Sequence, residues 1–337
     1  MFYMSKFSSS LKLKVLINLK ENQKILKMKS VFYLFGFASL IFVVIAQPSC
    51  NFNFDTNSKY YCPLTGGNID ALYDGEIGGA HFENKADNDV LFLYADEAVK
   101  EFILKKIFDR FKNLEILEFR KGSISAISKD FFYNCNRLQK VLIKESVFVD
   151  VPVDIFGNCT ALTEIDFGNN NIDNIESRAF AGLENLEILR LNENELKAIR
   201  PNVFSPLTKL QTLDLSKNNL KNFDANVFLS NTELRVLILA ENKLDRLDSK
   251  YFNSLKQLTS IDLTKNVVNS TEKTLVDNLV GINSVKFKEN SCIDLDFENF
   301  KQSDIDDFKT CIENFNGAPI MILSSVALVL LVISKLL

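Results

Sequence analysis

The stretch that decides the fold is LEILRLNENELKAIRPNVFSPLTK, residues 186–209. It follows the pattern LxxLxLxxNxLxxI, set by Leu186, Leu189, Leu191, Asn194, Leu196 and Ile199, and Phe204 and Leu207 complete the unit. A weaker copy begins at Val90, and full copies begin every 24 residues without slip, at Leu114, Leu138, Leu162, Leu186, Leu210, Leu234, Leu258 and Ile282. A fixed period of this length indicates an array of stacked structural repeats.

The paired leucines predict a short strand in each copy. Side chains alternate faces along a strand, so Leu189 and Leu191 point to the core while Arg190 points outward. Stacked copies pair their strands in parallel. On these residues the chain resembles extracellular leucine-rich repeat proteins of the 24-residue subclass, such as Toll-like receptor ectodomains, small leucine-rich proteoglycans, connectin and chaoptin. The resemblance implies an α/β right-handed solenoid, or horseshoe, with a parallel concave β-sheet and eight or nine repeats over residues 90–290.

Two other residue types recur with the same period. An asparagine follows each strand and is expected to satisfy backbone groups that the turn leaves unpaired. Gly122 and Ser146 hold that position in the first copies, which predicts a weaker ladder there. The asparagines are Asn170, Asn194, Asn218, Asn242, Asn266 and Asn290. A phenylalanine spine inside the convex side is formed by Phe108, Phe132, Phe156, Phe180, Phe204, Phe228 and Phe252, with Val276 closing it.

Repeat arrays need caps at both ends. Residues 47–89 are the expected N-terminal cap and residues 291–316 the C-terminal cap. In an oxidising compartment an even number of cysteines predicts disulfides. The local pairs are Cys50 with Cys62 and Cys292 with Cys311, which makes these caps simpler than the family pattern of four cysteines. Cys135 and Cys159 lie one period apart, close enough to be bridged between neighbouring coils, or they are two free thiols in the core.

Both ends of the chain are expected to be targeting segments. Residues 28–46 predict a secretory signal peptide, cleaved before Gln47, and a signal-anchor helix is the alternative. Residues 1–27 are then a basic extension or an untranslated upstream stretch. Residues 317–337 are an uncharged tail that fits a glycolipid-anchor signal with Asn316 at its attachment site, or a membrane span.

The composition argues against several classes of function. The chain has 337 residues, a net charge of −4 and a single histidine, His81. Residues 1–46 hold seven lysines and one glutamate, so residues 47–316 are strongly acidic and a poor partner for nucleic acid. No catalytic triad, metal set or phosphate loop is present in the sequence. We therefore expect no enzyme, no cofactor and no metal, and we expect the acidic pair Glu164 and Asp166 to be solvated.

The outward positions of the strands are the candidate binding surface. Mixed charge with scattered apolar residues suits a protein partner. Arg190 and Asp214 are expected to form an exposed pair on adjacent strands. The candidate residues are Glu118, Arg120, Leu142, Lys144, Asp166, Arg190, Asp214, Ile238 and Asp262. Asn158 and Asn269 stand in glycosylation sequons.

These observations predict a protein on the extracellular side of the plasma membrane, held there by its C-terminal tail. The resemblance implies adhesion, receptor co-factor or immune recognition roles, with a protein ligand or receptor as partner and a homodimer as one arrangement. The alternative is a secreted structural or extracellular matrix protein.

Overall fold

The computed structural model describes most of the repeat array and short pieces of the flanking regions. The described residues are 30–31, 43–44, 49–50, 53–54, 60–65, 85–96, 107–122, 124–128, 131–268, 270–271, 282–291 and 296–298. The predicted signal peptide lies outside this set apart from two strands of two residues each. Cys292, Cys311, Asn269, Val276 and the tail 317–337 also lie outside it.

Short strands dominate the described chain, because each coil needs only one inward-facing pair of side chains. One α-helical turn, α1, spans Ile107–Arg110, and 3-10 turns span Asp87–Asp89 and Ser249–Tyr251. The strands are β1 (Ser30–Val31), β2 (Val43–Val44), β3 (Ser49–Cys50), β4 (Asn53–Phe54), β5 (Tyr60–Thr65), β6 (Phe92–Asp96), β7 (Ile116–Arg120), β8 (Lys140–Lys144), β9 (Asp150–Val151), β10 (Glu164–Asp166), β11 (Asn174–Ile175), β12 (Ile188–Arg190), β13 (Thr212–Asp214), β14 (Val236–Ile238), β15 (Arg246–Leu247), β16 (Ser260–Asp262), β17 (Ser270–Thr271), β18 (Ser284–Lys286) and β19 (Asp296–Glu298).

One strand per coil builds a single parallel sheet, as the 24-residue period predicts. The order is β5, β6, β7, β8, β10, β12, β13, β14, β16 and β18, all paired in parallel. From β6 onward each residue pairs with the one 24 positions later, for example Leu189 with Leu213. At the ends the sheet turns antiparallel, where β3 and β4 pair with β5 and where β19 pairs with β18. The predicted solenoid is therefore confirmed.

The phenylalanine spine is confirmed as core from Phe108 to Phe252. All seven rings are at most 3% exposed. In the middle of the array the rings stack face to face, with centroids 6.4 Å apart for Phe180 and Phe204 and 6.1 Å apart for Phe204 and Phe228. Because the repeat places equivalent rings at the same depth, each spine ring from Phe108 to Phe204 contacts the ring of the next coil.

The asparagine ladder joins each coil to the one before it. The Asn194 Nδ2 donates to Phe167 O at 2.9 Å in the preceding coil and to Leu191 O at 3.1 Å in its own. Its Oδ1 accepts a hydrogen bond from Ile172 N at 2.9 Å. The same bonds recur down the array to Asn290. At the N-terminal end Ser146 makes only a 3.5 Å bond from its hydroxyl to Lys144 O, so the ladder is weaker there, as predicted.

A second periodic feature was not predicted from the sequence. The residue just before each ladder position has a positive φ of 49° to 56°, although none of these residues is glycine. The backbone N–H of Glu193 donates to Ser216 O at 2.9 Å, and that of Lys217 donates to Ala240 O at 2.8 Å. These bonds to the next coil hold a conformation that L-residues otherwise avoid. The positions are Lys121, Glu145, Asn169, Glu193, Lys217, Glu241, Lys265 and Glu289.

The structure joins Cys135 and Cys159 in a disulfide, with Cα atoms 4.8 Å apart. Both side chains are at most 1% exposed, on the convex side where other coils place Leu183 or Leu207. Cys62 is also disulfide-bonded. Its strand β5 pairs with β3, where Cys50 lies opposite Leu64, two residues along β5 from Cys62. The pairing of Cys50 with Cys62 stays a prediction.

Replacing both Cys135 and Cys159 by alanine should lower the free energy of unfolding by about 2–4 kcal/mol, because the bridge restricts the unfolded chain over a loop of 24 residues. Chemical denaturation of wild type and the double variant measures the difference. A reductant should lower the stability of the double variant less than that of wild type. An equal loss in both proteins would contradict this assignment.

Candidate protein-binding face

The register of the parallel sheet lines up one outward side chain from each coil in a continuous row. This central row sits between the inward leucines of every strand, and each member pairs with the next across the sheet. Its members are Tyr94, Glu118, Leu142, Asp166, Arg190, Asp214, Ile238, Asp262 and Lys286. The sheet thus brings together the candidate residues that the repeat register assigned to this row.

In the N-terminal part of the row, the charge of the carboxylate is neutralised by a cation on the same strand. Glu118 is only 8% exposed and forms an ion pair with Arg120, two residues along the same strand. Tyr94 and Leu142 flank Glu118 on the adjacent strands. Arg120, Lys140 and Lys144 do not form a cationic surface, because each of these three side chains is paired with a carboxylate.

An ion-pair network crosses strands β8, β10 and β12. The Glu164 carboxylate forms an ion pair with Lys140 Nζ at 2.7 Å on one side and with the Arg190 guanidinium on the other. Lys144 Nζ lies 3.1 Å from Asp166 Oδ2. The side chains of Glu164 and Asp166 are only 14% and 7% exposed, so the expectation that this acidic pair is solvated was wrong. Three long cationic side chains fold over the carboxylates and remove them from water.

The expected ion pair between Arg190 and Asp214 is also not what the structure records. The two residues are neighbours across β12 and β13, as predicted. The Arg190 guanidinium, however, turns to the other side and pairs with Glu164, with Asp166 4.0 Å away. Two carboxylates attract Arg190 more strongly than one, so Asp214 is left without its cross-strand partner.

The stabilisation that the ion-pair network gives the fold depends on pH through the Glu164 carboxyl. Burial raises the pKa of its carboxyl, but hydrogen bonds and charges from Lys140 and Arg190 together outweigh burial and lower the pKa below its ordinary value of 4.5. A depressed folded pKa means that the carboxylate stabilises the fold above pH 4.5 and that this stabilisation is lost as the pH falls through the folded pKa.

Glu164→Gln should therefore lower the free energy of unfolding at pH 7 by about 1.5–3 kcal/mol, since it removes charged hydrogen bonds. The difference from wild type should shrink as the pH falls from 4.5 through the folded pKa, because the carboxylate of wild-type Glu164 is progressively protonated over this range. Urea denaturation of both proteins at a series of pH values measures it. A difference that stays constant from pH 7 to pH 3 would mean that the carboxylate charge contributes nothing.

Three aspartates of the central row share one local geometry. Asp166, Asp214 and Asp262 each accept a hydrogen bond at Oδ1 from the backbone N–H two residues later, at 2.9 to 3.0 Å. This bond fixes the carboxylate against the end of its strand. Sequence reasoning missed it, although an Asp followed two positions later by Gly, Ser or Thr at a strand end is a recognisable side-chain turn signal.

Apolar side chains lie beside Asp214 on both neighbouring strands, while Thr212 and Ser216 flank it in its own coil. Ile188 and Val236 lie in the row beside the central one, and Ile238 follows Asp214 in the central row. All three side chains are partly buried within the chain and still reach solvent. On the convex side, Leu229 is 63% exposed.

The structure also describes the surroundings of one candidate glycosylation site, Asn158. Asn158 is exposed, and its Nδ2 donates to Tyr133 O at 3.2 Å, while Cys159 beside it is buried in the disulfide. Within the described ranges, no three metal-ligating side chains come together. In the same part of the chain, no helix has the length and apolar character that a membrane crossing requires.

Comparison with known proteins identifies the repeat. The Leucine rich repeat family matches residues 136–196 and 184–244. A solved leucine-rich repeat protein of Leptospira interrogans has a TM-score of 0.51 at 20% identity, over 62% of this chain and 57% of that one. The leucine-rich repeat domain of APL1B has a TM-score of 0.50 at 19% identity, over 60% and 56%.

These likenesses concern the fold alone. The chain spans a little more than half the length of either solved protein. No curated protein matches the sequence. The family match, the shared fold and the 24-residue register agree that the repeat region of this chain has the fold of a leucine-rich repeat solenoid.

Proposed function

We propose that this chain is a non-enzymatic cell-surface protein that binds another protein through its concave face. The observation that carries the proposal is the central row itself. Nine registered strands present nine outward side chains, while the core and the asparagine ladder use other positions. Leucine-rich repeat solenoids typically serve as protein-interaction scaffolds, and their curvature gathers such a row into an extended binding surface.

The chemistry of the row supports a protein partner. Apolar residues, namely Leu142 and Ile238, alternate with neutralised ion pairs, which resembles the mixed surface at the centre of protein interfaces. The ion pairs are pre-formed and partly buried, so a partner that covers them need not order those side chains.

Substitution of Ile238 by arginine should weaken partner binding by about tenfold or more while leaving the melting temperature nearly unchanged, because this side chain points outward from the sheet. Leu229→Arg on the convex side is the matched control and should bind normally. The partner is first isolated with the full chain as bait, and its affinity for each variant is then measured. Normal binding by Ile238→Arg together with loss in Leu229→Arg would move the site to the convex face.

The placement of the protein at the cell surface rests on sequence signals. A cleaved signal peptide at residues 28–46 predicts export, and the apolar tail at residues 317–337 predicts attachment. Detergent phase separation of the expressed protein tests this. Release to the aqueous phase by phosphatidylinositol-specific phospholipase C supports a lipid anchor, retention supports a membrane span, and a protein that never enters the detergent phase supports the secreted form.

A further inference from the structure

The three equivalent aspartates of the central row differ in their ion pairing. Asp166 is paired with Lys144, and Asp262 is paired with Lys286, whose Nζ lies 3.4 Å from Asp262 Oδ2. Both recorded bonds of Asp214 go to Oδ1, from the backbone N–H of Ser216 at 2.9 Å and from its hydroxyl at 2.6 Å. Among the described residues, the Oδ2 atom of Asp214 has no recorded cationic partner.

The sequence explains this difference position by position. The positions that supply Lys144 to Asp166 and Lys286 to Asp262 are occupied around Asp214 by Asn192 and Ile238. The neighbour on the other strand, Arg190, is held by Glu164. Asp214 therefore stands as a fixed carboxylate with one open oxygen at the middle of the array.

The apolar residues around Asp214 restrict which partner segments its carboxylate can bind. Ile188, Val236 and Ile238 lie around Asp214 on the same outward surface. A partner that covers this apolar patch also takes Asp214 out of water, and a buried charge without a counter-charge is strongly unfavourable. A purely apolar or acidic partner segment is therefore rejected, whereas a basic side chain gains a charge-assisted hydrogen bond.

We propose that Asp214 is the anchor for a basic side chain, arginine or lysine, flanked by apolar residues in the bound protein segment. This inference rests on the proposed binding role of the concave face and specifies its chemistry. The Ser216 hydroxyl and backbone N–H position the carboxylate through Oδ1, so Oδ2 is ready to accept from the partner before binding occurs.

The test uses synthetic peptides, because it needs no natural partner. Random twelve-residue peptides displayed on phage are selected on the full chain and depleted on Asp214→Asn, which keeps the Oδ1 acceptor and the side-chain shape. We expect selected peptides with a basic residue between apolar ones. Their affinity, measured with synthetic copies, should fall about tenfold or more on Asp214→Asn.

Two controls separate the anchor from general effects. Asp224→Asn removes a carboxylate that accepts the same kind of backbone bond but lies outside the central row, so it should change peptide affinity less than about twofold. Replacing the peptide arginine by neutral citrulline should weaken binding to wild type and abolish the difference between wild type and Asp214→Asn. Thermal melts of both variants should match wild type.

Several results would overturn the anchor. These are the absence of any peptide sensitive to Asp214→Asn, selected peptides without a basic residue, or an equal loss on Asp224→Asn. If peptides selected on the full chain without the depletion step bind wild type and Asp214→Asn equally but lose affinity on Ile238→Arg, the anchor is wrong while the concave binding face stands. If they ignore Ile238→Arg as well, the proposed function fails with it.

Discussion

Phe204→Ala should lower the free energy of unfolding by about 3–5 kcal/mol, the usual range for removing a fully buried aromatic side chain. Phe204 is 0% exposed and lies between Phe180 and Phe228 in the stacked part of the spine. Its loss opens a cavity and breaks ring contacts to both neighbouring coils. Each coil depends on its neighbours in a repeat array, so the damage is not confined to one repeat.

Reversible chemical denaturation followed by circular dichroism measures this loss. Phe204→Leu is the control, since it keeps most of the volume and should cost much less than alanine. Leu229→Ala on the exposed convex surface should stay within about 0.5 kcal/mol of wild type. A Phe204→Ala variant that loses less than about 1 kcal/mol would show that the spine does not carry the coil-to-coil contacts assigned to it.

The repeat period made most of the fold predictable. Once Leu189 and Leu191 define a strand, the 24-residue register places the other strands of the parallel sheet from β6 to β18 and every spine ring. The rotameric choices of charged side chains could not be predicted in the same way. Arg190 has carboxylates on both sides, and only the full arrangement of Glu164, Asp166 and Lys140 decides that it turns away from Asp214.

The orientation of one side chain that departs from the repeat could not be predicted from the sequence either. Asn231 occupies a position where other coils place leucine or cysteine, and it is 0% exposed. Its Nδ2 donates to Phe204 O and Leu207 O, both at 2.9 Å, while its Oδ1 has no hydrogen-bond partner. The sequence shows the substitution, but whether a polar side chain there turns in to bond or out to solvent depends on which carbonyls the preceding coil leaves open.

Asn218→Asp should be the most damaging conservative change in the ladder, with a loss of about 3 kcal/mol or more at neutral pH. The Asn218 Nδ2 donates to Leu191 O at 2.9 Å, to Leu215 O at 3.1 Å and to Ser216 O at 3.1 Å. Aspartate has the same shape but no donor, so these three bonds are lost and a carboxylate charge faces the three carbonyl oxygens. Each carbonyl keeps one other donor, from Asn194 Nδ2, Asn242 Nδ2 or Glu193 N. A buried charge without a counter-charge is strongly unfavourable, and this charge sets most of the expected loss.

The hydrogen bond that Asn218 accepts allows the effect of the new charge to be separated from the effect of side-chain shape. Oδ1 of Asn218 accepts from Leu196 N at 3.0 Å, and an aspartate oxygen can keep that bond. Asn218→Ala loses both sides but adds no charge. We therefore expect the deficit of the aspartate variant to shrink at acidic pH, where a protonated carboxyl can donate again, while the deficit of the alanine variant changes little with pH.

The end of the array supplies the matched control. Asn290 makes the same bonds to Leu263 O and Phe287 O, both at 2.9 Å, but it is less buried than Asn218. Water can reach the groups that its loss would expose, so Asn290→Asp should cost clearly less than Asn218→Asp. Urea denaturation of the two variants and wild type at pH 7 and pH 4 measures both effects. Equal losses at the two positions would show that burial in the middle of the solenoid does not set the strength of the ladder.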